Sequence, residues 1–323
     1  MPTETVFVLS KDAGRLEPVF SATDLQAEIV LIDDLSTLEP LITTKNPTIA
    51  LMFKDAGFDG PELRQLALAP SIQWVQASGS GYEFLEPIDR TDLTITNGQG
   101  MRSRYLAETV IGAMISLNTG MLRYRDLQRA RQWRPSEFVP LEQQSLLVVG
   151  TGLIGRWVAQ YAKTLGMRVI GVNRSGRSPE YFDDMFPIDQ LGMALPDADI
   201  VSIHLRHTVD TDQLFNHSLF GAMKKDAMFI NTARGGIVDE DALCDAVSSG
   251  SIRSAYLDVF AIEPLPDDSP LWTMDNVLIT PHCADMITNW VAKAAEFFLV
   301  NLQRRKRGEN LINVVRSPTT EQG

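Results

Sequence analysis

Cysteine is scarce in this chain: Cys244 and Cys283 are the only two in 323 residues. That excludes a disulfide framework and leads us to expect reduced thiols and a cytoplasmic location. No apolar run approaches the ~20 residues of a membrane-crossing helix, so no membrane partner is expected. The opening MPTETVFVLS has neither the basic stretch nor the long apolar core of a secretion signal. Histidine is limited to four residues, and no third ligand accompanies the neighbouring His204 and His207, so no metal is expected. Positive charge is also short. The 29 Lys and Arg against 41 Asp and Glu leave a net −12, which argues against a nucleic-acid partner. The one basic cluster, RRKR at 304–307, reads as the solvated end of a helix.

What is present is a regular alternation of short apolar runs with amphipathic segments. Strands are predicted at 5–10, 28–33, 48–53, 72–78 and 93–97, with helices such as 61–69 between them. The stretch RSRYLAETVIGAMISLNTG, from 102, predicts one long helix connecting two domains. A second strand series comes after it, at 145–150, 168–172, 200–205, 228–234, 254–260 and 277–282. Near-continuous Val, Ile and Leu in these runs suit sheets buried on both faces. The length exceeds what one core normally organises. The expected fold class is therefore α/β, with two doubly wound parallel-sheet domains.

Gly150-Thr151-Gly152-Leu153-Ile154-Gly155 fits G-x-G-x-x-G. The run SLLVVG precedes it, and Val158, Tyr161, Ala162 and Leu165 succeed it at helical spacing, ending at Gly166. In that context the motif predicts a dinucleotide turn. Gly150 permits the turn, Gly152 admits a pyrophosphate, and Gly155 lets helix and strand pack closely. The next strand would carry an acid for an NAD ribose. Asn173 stands there, with Arg174 and Ser175 after it and Arg177 near. An amide removes the repulsion of a 2′-phosphate, and a guanidinium matches phosphate oxygens. NADP(H) is therefore expected in preference to NAD(H). The alternative is that Arg174 stacks on adenine and selects nothing.

Arg234, Asp258, Glu263 and His282 fall at or past the carboxyl ends of predicted strands, where open α/β sheets bind ligands. Reducing a 2-keto acid needs a cation for the carboxylate, and Arg forms a bidentate fork. It needs a general acid, and His titrates in the useful range. A carboxylate such as Glu263 orients the imidazole. Asp258 alone serves equally as the cap of a turn. Leu205, Arg206, Thr232 and Ala233, at neighbouring predicted strand ends, join the expected cofactor set.

GTGLIG, NTARGGIVDEDAL, DVFAIEPLP…SPLW and NVLITPH together resemble the D-isomer-specific 2-hydroxyacid dehydrogenase family over nearly the whole chain, and the NADP-linked glyoxylate/hydroxypyruvate reductases most in character. The resemblance implies a catalytic triad of Arg234, Glu263 and His282, with His282 the proton donor. It implies Asp258 near the nicotinamide carboxamide, and Ser78, Gly79, Ser80 and Gly81 offering N–H groups to the substrate carboxylate alongside Arg234 and His282. Met52, Phe53 and Lys54 would line the same pocket. It implies a Rossmann cofactor domain, 101–285, inserted in a flavodoxin-like substrate domain, 1–100 plus 286–323, with the site between them, and a homodimer. Reduction of glyoxylate, hydroxypyruvate or a similar small acid is the expected activity. An NAD-using phosphoglycerate-type dehydrogenase, a formate dehydrogenase and a corepressor-like dinucleotide-sensing protein are the competitors. IHLRHT at 203–208 departs from the family's usual Leu-Pro-x-Thr-like segment and turns Arg206 toward the cofactor.

Overall fold

A computed structural model describes residues 4–22, 27–54 and 60–318. The first three residues of the opening segment and the last five of the C-terminal tail lie outside the described residues. The chain forms two compact units, Met1–Arg102 with Ile287–Gly323, and Ser103–Met286.

Along the chain the first unit runs β1 (Glu4–Leu9), α1 (Ala13–Ser21), β2 (Ala27–Ile32), α2 (Leu38–Lys45), β3 (Ile49–Met52), α3 (Gly60–Leu68), β4 (Trp74–Ala77) and β5 (Thr94–Thr96). The second runs α4 (Ser103–Asn118), α5 (Met121–Arg129), β6 (Ser145–Val149), α6 (Leu153–Thr164), β7 (Arg168–Asn173), β8 (Asp184–Pro187), α7 (Leu191–Ala194), β9 (Ile200–Ile203), α8 (His217–Ala222), β10 (Ala227–Asn231), α9 (Glu240–Ser248), β11 (Ile252–Leu257) and β12 (Val277–Ile279). The chain then returns to the first unit with α10 (Trp290–Lys306) and β13 (Val314–Arg316).

The first unit's sheet has the order β13-β5-β4-β3-β1-β2, parallel except for β13. Alternation of side chains divides β1 between two cores: Phe7 and Leu9 join one layer, Val6 and Val8 the other. The second layer is closed by α10, whose Phe298 stacks on Trp74 with ring centroids 5.2 Å apart. The second unit's sheet, β12-β11-β10-β9-β6-β7-β8, is wholly parallel. Here Leu147 and Val149 face one core, Leu146 and Val148 the other. The chain leaves β6 toward β7 in one direction and resumes at β9 on the other side. That reversal opens a crevice at the carboxyl ends of β6 and β9, where doubly wound sheets bind ligands.

Two edge strands carry no signal in the sequence pattern. β8 is short, half-buried and begins with Asp184, which pairs with Arg168 at 2.7 Å. β13 pairs antiparallel with β5, an exception to the parallel expectation, because the tail returns along an open edge. Several predicted strands also end early: β9 at Ile203, β10 at Asn231, β11 at Leu257 and β12 at Ile279. The polar residues after those points take loop conformations, so the predicted functional side chains stand on turns just beyond the sheet. Among the described residues, no helix is long and apolar enough to cross a membrane.

Candidate active site

The glycine turn joins β6 to α6. Gly150 has φ +104°, and a Cβ there would fall 2.5 Å from the His204 carbonyl oxygen. At Gly155 a Cβ would fall 2.1 Å from the Gly150 oxygen, so helix and strand meet backbone to backbone. A Cβ on Gly152 would meet nothing within 4 Å. The open space lies at the start of a twelve-residue helix whose first-turn N–H groups have no intrahelical acceptor. Thr151, Leu153 and Ile154 complete this turn.

Asn173 ends β7 and shapes the loop after it. Its amide donates to Thr151 Oγ1 at 2.9 Å and to the Arg177 carbonyl at 2.8 Å, while its oxygen accepts the Ser175 N–H at 3.0 Å. These bonds close a tight loop beside the glycine turn. Arg174, Ser175 and Arg177 are exposed on it. Among the described residues no carboxylate pairs with either guanidinium. Such a loop fits a phosphate monoester.

At the end of β9, His204 bonds Ser202 Oγ through Nε2 at 2.9 Å, while its Nδ1 is buried without a partner. Across the register Asn231↔Ile203, Thr232 stands beside it, and its hydroxyl is likewise buried and unpartnered. Leu205 packs on the core, and Arg206 is exposed. His207 pairs with Asp212 at 2.7 Å. Among the described residues no group of three or more His, Cys, Asp or Glu is set to hold a metal.

Burial pushes the His204 imidazole down to about 3 from 6.5. The unfolded chain therefore binds a proton that the folded one refuses, and stability is lost as pH falls from 6.5 toward 3. Between pH 7 and pH 5 this amounts to about 2 kcal/mol. Denaturant unfolding at both pH values should show that extra loss in the wild type and not in His204→Asn. Equal losses in the two proteins would contradict the assignment.

β10 ends in a turn that Asn231 builds, its oxygen accepting the Ala233 N–H at 3.0 Å and its amide donating to the Arg234 carbonyl at 3.1 Å. Arg234 is exposed, and its guanidinium donates to the neighbouring Ala233 carbonyl at 2.7 Å. Gly235 then rests on the turn after β11, so closely that a Cβ would lie 1.8 Å from the Phe260 carbonyl carbon. That second turn carries Glu263. One of its oxygens accepts the Phe260 N–H at 3.0 Å; the other lies 2.7 Å from His282 Nδ1. His282 comes after β12, in the left-handed region at φ +49°. Three sequence-distant segments thus meet, bringing the Glu263–His282 pair to the Arg234 turn. With Nδ1 engaged by a carboxylate, Nε2 is the nitrogen left to face a ligand.

Asp258 holds the loop from beneath. It is 2% exposed and accepts from Thr280 Oγ1, from the Cys283 N–H at 2.9 Å and from the Ala284 N–H at 3.1 Å. Tyr256 Oη bonds Thr280 at 2.9 Å. Burial pushes the Asp258 carboxyl up, against those hydrogen bonds and the His282 charge. Its side chain is therefore the cap of the 280–284 turn. Asn231, Tyr256 and Thr280 are supports that sequence reasoning does not single out. Their signal is only that of polar residues at the ends of apolar runs.

In the first unit the 78–81 loop comes after β4. The Ser78 N–H donates to the Met52 carbonyl at 2.9 Å. The Gly79 and Ser80 carbonyls are taken by the Gly98 N–H at 2.7 Å and the Asn97 amide at 2.6 Å. Among the described residues the N–H groups of Gly79, Ser80 and Gly81 find no acceptor. Phe53, beside this loop in the sheet, is fully buried against Trp290 at 5.5 Å between centroids.

Comparisons with known proteins agree with this fold. Residues 111–284 match the model of the D-isomer specific 2-hydroxyacid dehydrogenase NAD binding domain. A glyoxylate reductase of Korarchaeum cryptofilum is 31% identical over 259 residues, 76% of this chain and 77% of that protein. The crystal structure of a D-isomer specific 2-hydroxyacid dehydrogenase family protein from Aeromonas salmonicida superimposes with TM-score 0.87 at 32% identity, covering 97% of this chain and 99% of that one. A family member from Xanthobacter autotrophicus, solved with NADPH and MES, gives TM-score 0.79 at 27% identity over 97% and 98% of the two chains. The glycine turn, the strand order and the matched domain converge on one conclusion: this chain belongs to the D-isomer specific 2-hydroxyacid dehydrogenase family, oxidoreductases acting on CH–OH groups with a nicotinamide cofactor.

Proposed function

We propose that the protein reduces small 2-keto acids, glyoxylate and hydroxypyruvate first among them, to D-2-hydroxy acids, with NADP(H) preferred. The observation that carries this reading is the 2.7 Å pair of His282 Nδ1 and Glu263 next to the Arg234 turn. A reduced nicotinamide, when bound, supplies the hydride for the carbonyl carbon. The chain's own residues do the rest. Arg234, exposed and with no carboxylate partner among the described residues, forks onto the substrate carboxylate. In the first unit, the unpartnered N–H groups of 79–81 are free to donate to an anion. Glu263 accepts the Nδ1 hydrogen bond and fixes the tautomer, and Nε2 of His282 donates the proton that the carbonyl oxygen gains. Asp258 and Thr280 hold the turn that aims the imidazole.

The cofactor is held by the glycine turn, by Leu205, Thr232 and Ala233 at the strand ends, and by Arg174, Ser175 and Arg206. The unneutralised Arg174–Arg177 loop supports the 2′-phosphate, as does the likeness to a relative solved with NADPH. A homodimer is part of the proposal. α5 buries no residue, and after it Trp133 is 97% exposed, with Phe138 and Val139 about half exposed. Both cysteines are free, consistent with the cytoplasm.

The test is NADPH absorbance loss with glyoxylate, hydroxypyruvate and a longer keto acid, repeated with NADH. Turnover of the two small acids is expected. Firm NADPH binding with no turnover of any acid would favour the dinucleotide-sensing alternative.

A further inference from the structure

Glu240 opens α9, directly after the Asp239 cap that accepts the Ala242 N–H at 3.2 Å. An acid in a first helical turn ordinarily faces water and serves the helix dipole. This one is half-buried and turned to another segment: its Oε1 accepts the Ala261 N–H at 2.6 Å, across 21 residues of sequence. Ala261 belongs to the turn on which Gly235 rests and from which Glu263 reaches His282.

We propose that Glu240 is a positioning residue for proton donation: its carboxylate clamps the turn that carries Glu263, and through that turn it holds the Glu263–His282 pair in place. This deepens the reductase reading and rests on it for the proton's destination. The bond reaches the backbone two residues before Glu263. It ties α9, which lies just past the Arg234 turn, to the segment that orients the imidazole. The ionisable groups around Glu240 are Asp239, Asp241 and Cys244 on its own helix, Glu263 with His282 behind it on the packed turns, and His217, 3.9 Å from Asp239, on α8. Burial, Asp241 and Glu263 push the Glu240 carboxyl up, and the Ala261 N–H pulls it down.

The experiment tracks the four imidazoles by NMR in ¹³C-histidine-labelled full-length protein, with the His282 signal assigned by its loss in His282→Asn. In Glu240→Ala the His282 ring signals should move and broaden as the turn loses its clamp, while in Glu240→Gln, still an acceptor for the Ala261 N–H, they should stay at their wild-type positions. Glu240→Ala should lower kcat for glyoxylate roughly tenfold while NADPH affinity holds, and Gln should restore most of that loss. His282 signals unmoved in Glu240→Ala overturn the proposal. The imidazole shift is read without turnover. Failure of the keto-acid assay would therefore sink the reductase reading alone, and the NMR arm would still decide Glu240.

Discussion

Replacing His282 by Gln is expected to lower kcat for glyoxylate by roughly 10²–10⁴ while leaving NADPH affinity within about twofold. That loss corresponds to about 3–5 kcal/mol of transition-state stabilisation. A glutamine side chain reaches Glu263 but carries no proton to release at the carbonyl oxygen. His282 sits at φ +49°, where Gln is strained and Asn is tolerated. His282→Asn therefore serves as the second variant, and both should lose activity with thermal midpoints close to wild type. Glu263→Gln should cost less, because the imidazole remains but is neither aligned nor stabilised when charged. Activity retained in both His282 variants would exclude His282 as the donor.

The second large effect concerns the cofactor. Removing both guanidinium groups by Arg174→Ala/Arg177→Ala should lower kcat/KM for NADPH by roughly 10²–10⁴, at ~1.5–3 kcal/mol for each charge-assisted bond to phosphate. NADH has no 2′-phosphate, so its kcat/KM should change by no more than about threefold. Adding Asn173→Asp should reverse the preference, since a carboxylate repels the phosphate and accepts from ribose hydroxyls. That change also breaks the bonds from the Asn173 amide to Thr151 and Arg177, so some loss with both cofactors is expected. The ratio of kcat/KM values for the two cofactors, measured in all three proteins, checks the assignment. A wild type that favours NADH, or a ratio unmoved in the double variant, would remove the loop from cofactor selection.

Much of the fold was readable because both sheets are buried on two faces. Runs such as LLVV and FVL read as buried strands, and the glycine turn marks the strand before it and the helix after it. The edge strands β8 and β13 were not readable. An edge strand needs no continuous apolar run, and DMFP and VVR carry charge or proline where a central strand would carry Val or Ile. The site divided the same way. Arg234, Glu263 and His282 stood out by residue type and spacing after predicted strands. Their supports did not. Asn231 bonds turn groups two and three residues on, and Thr280 and Glu240 bond groups 22 and 21 residues away, and no residue pattern announces such bonds. Asp258 was seen, but its occupation with the 280–284 turn emerges only when β11 and β12 are laid side by side.

The most direct measurement is a single turnover. Protein preloaded with a stoichiometric amount of NADPH is mixed rapidly with excess glyoxylate, and nicotinamide absorbance and glycolate are recorded together. Every bound NADPH should be oxidised in one phase with one glycolate formed, and His282→Asn should show no such phase. Oxidation without glycolate, or an equal phase in the variant, would contradict proton donation by His282 to a bound keto acid.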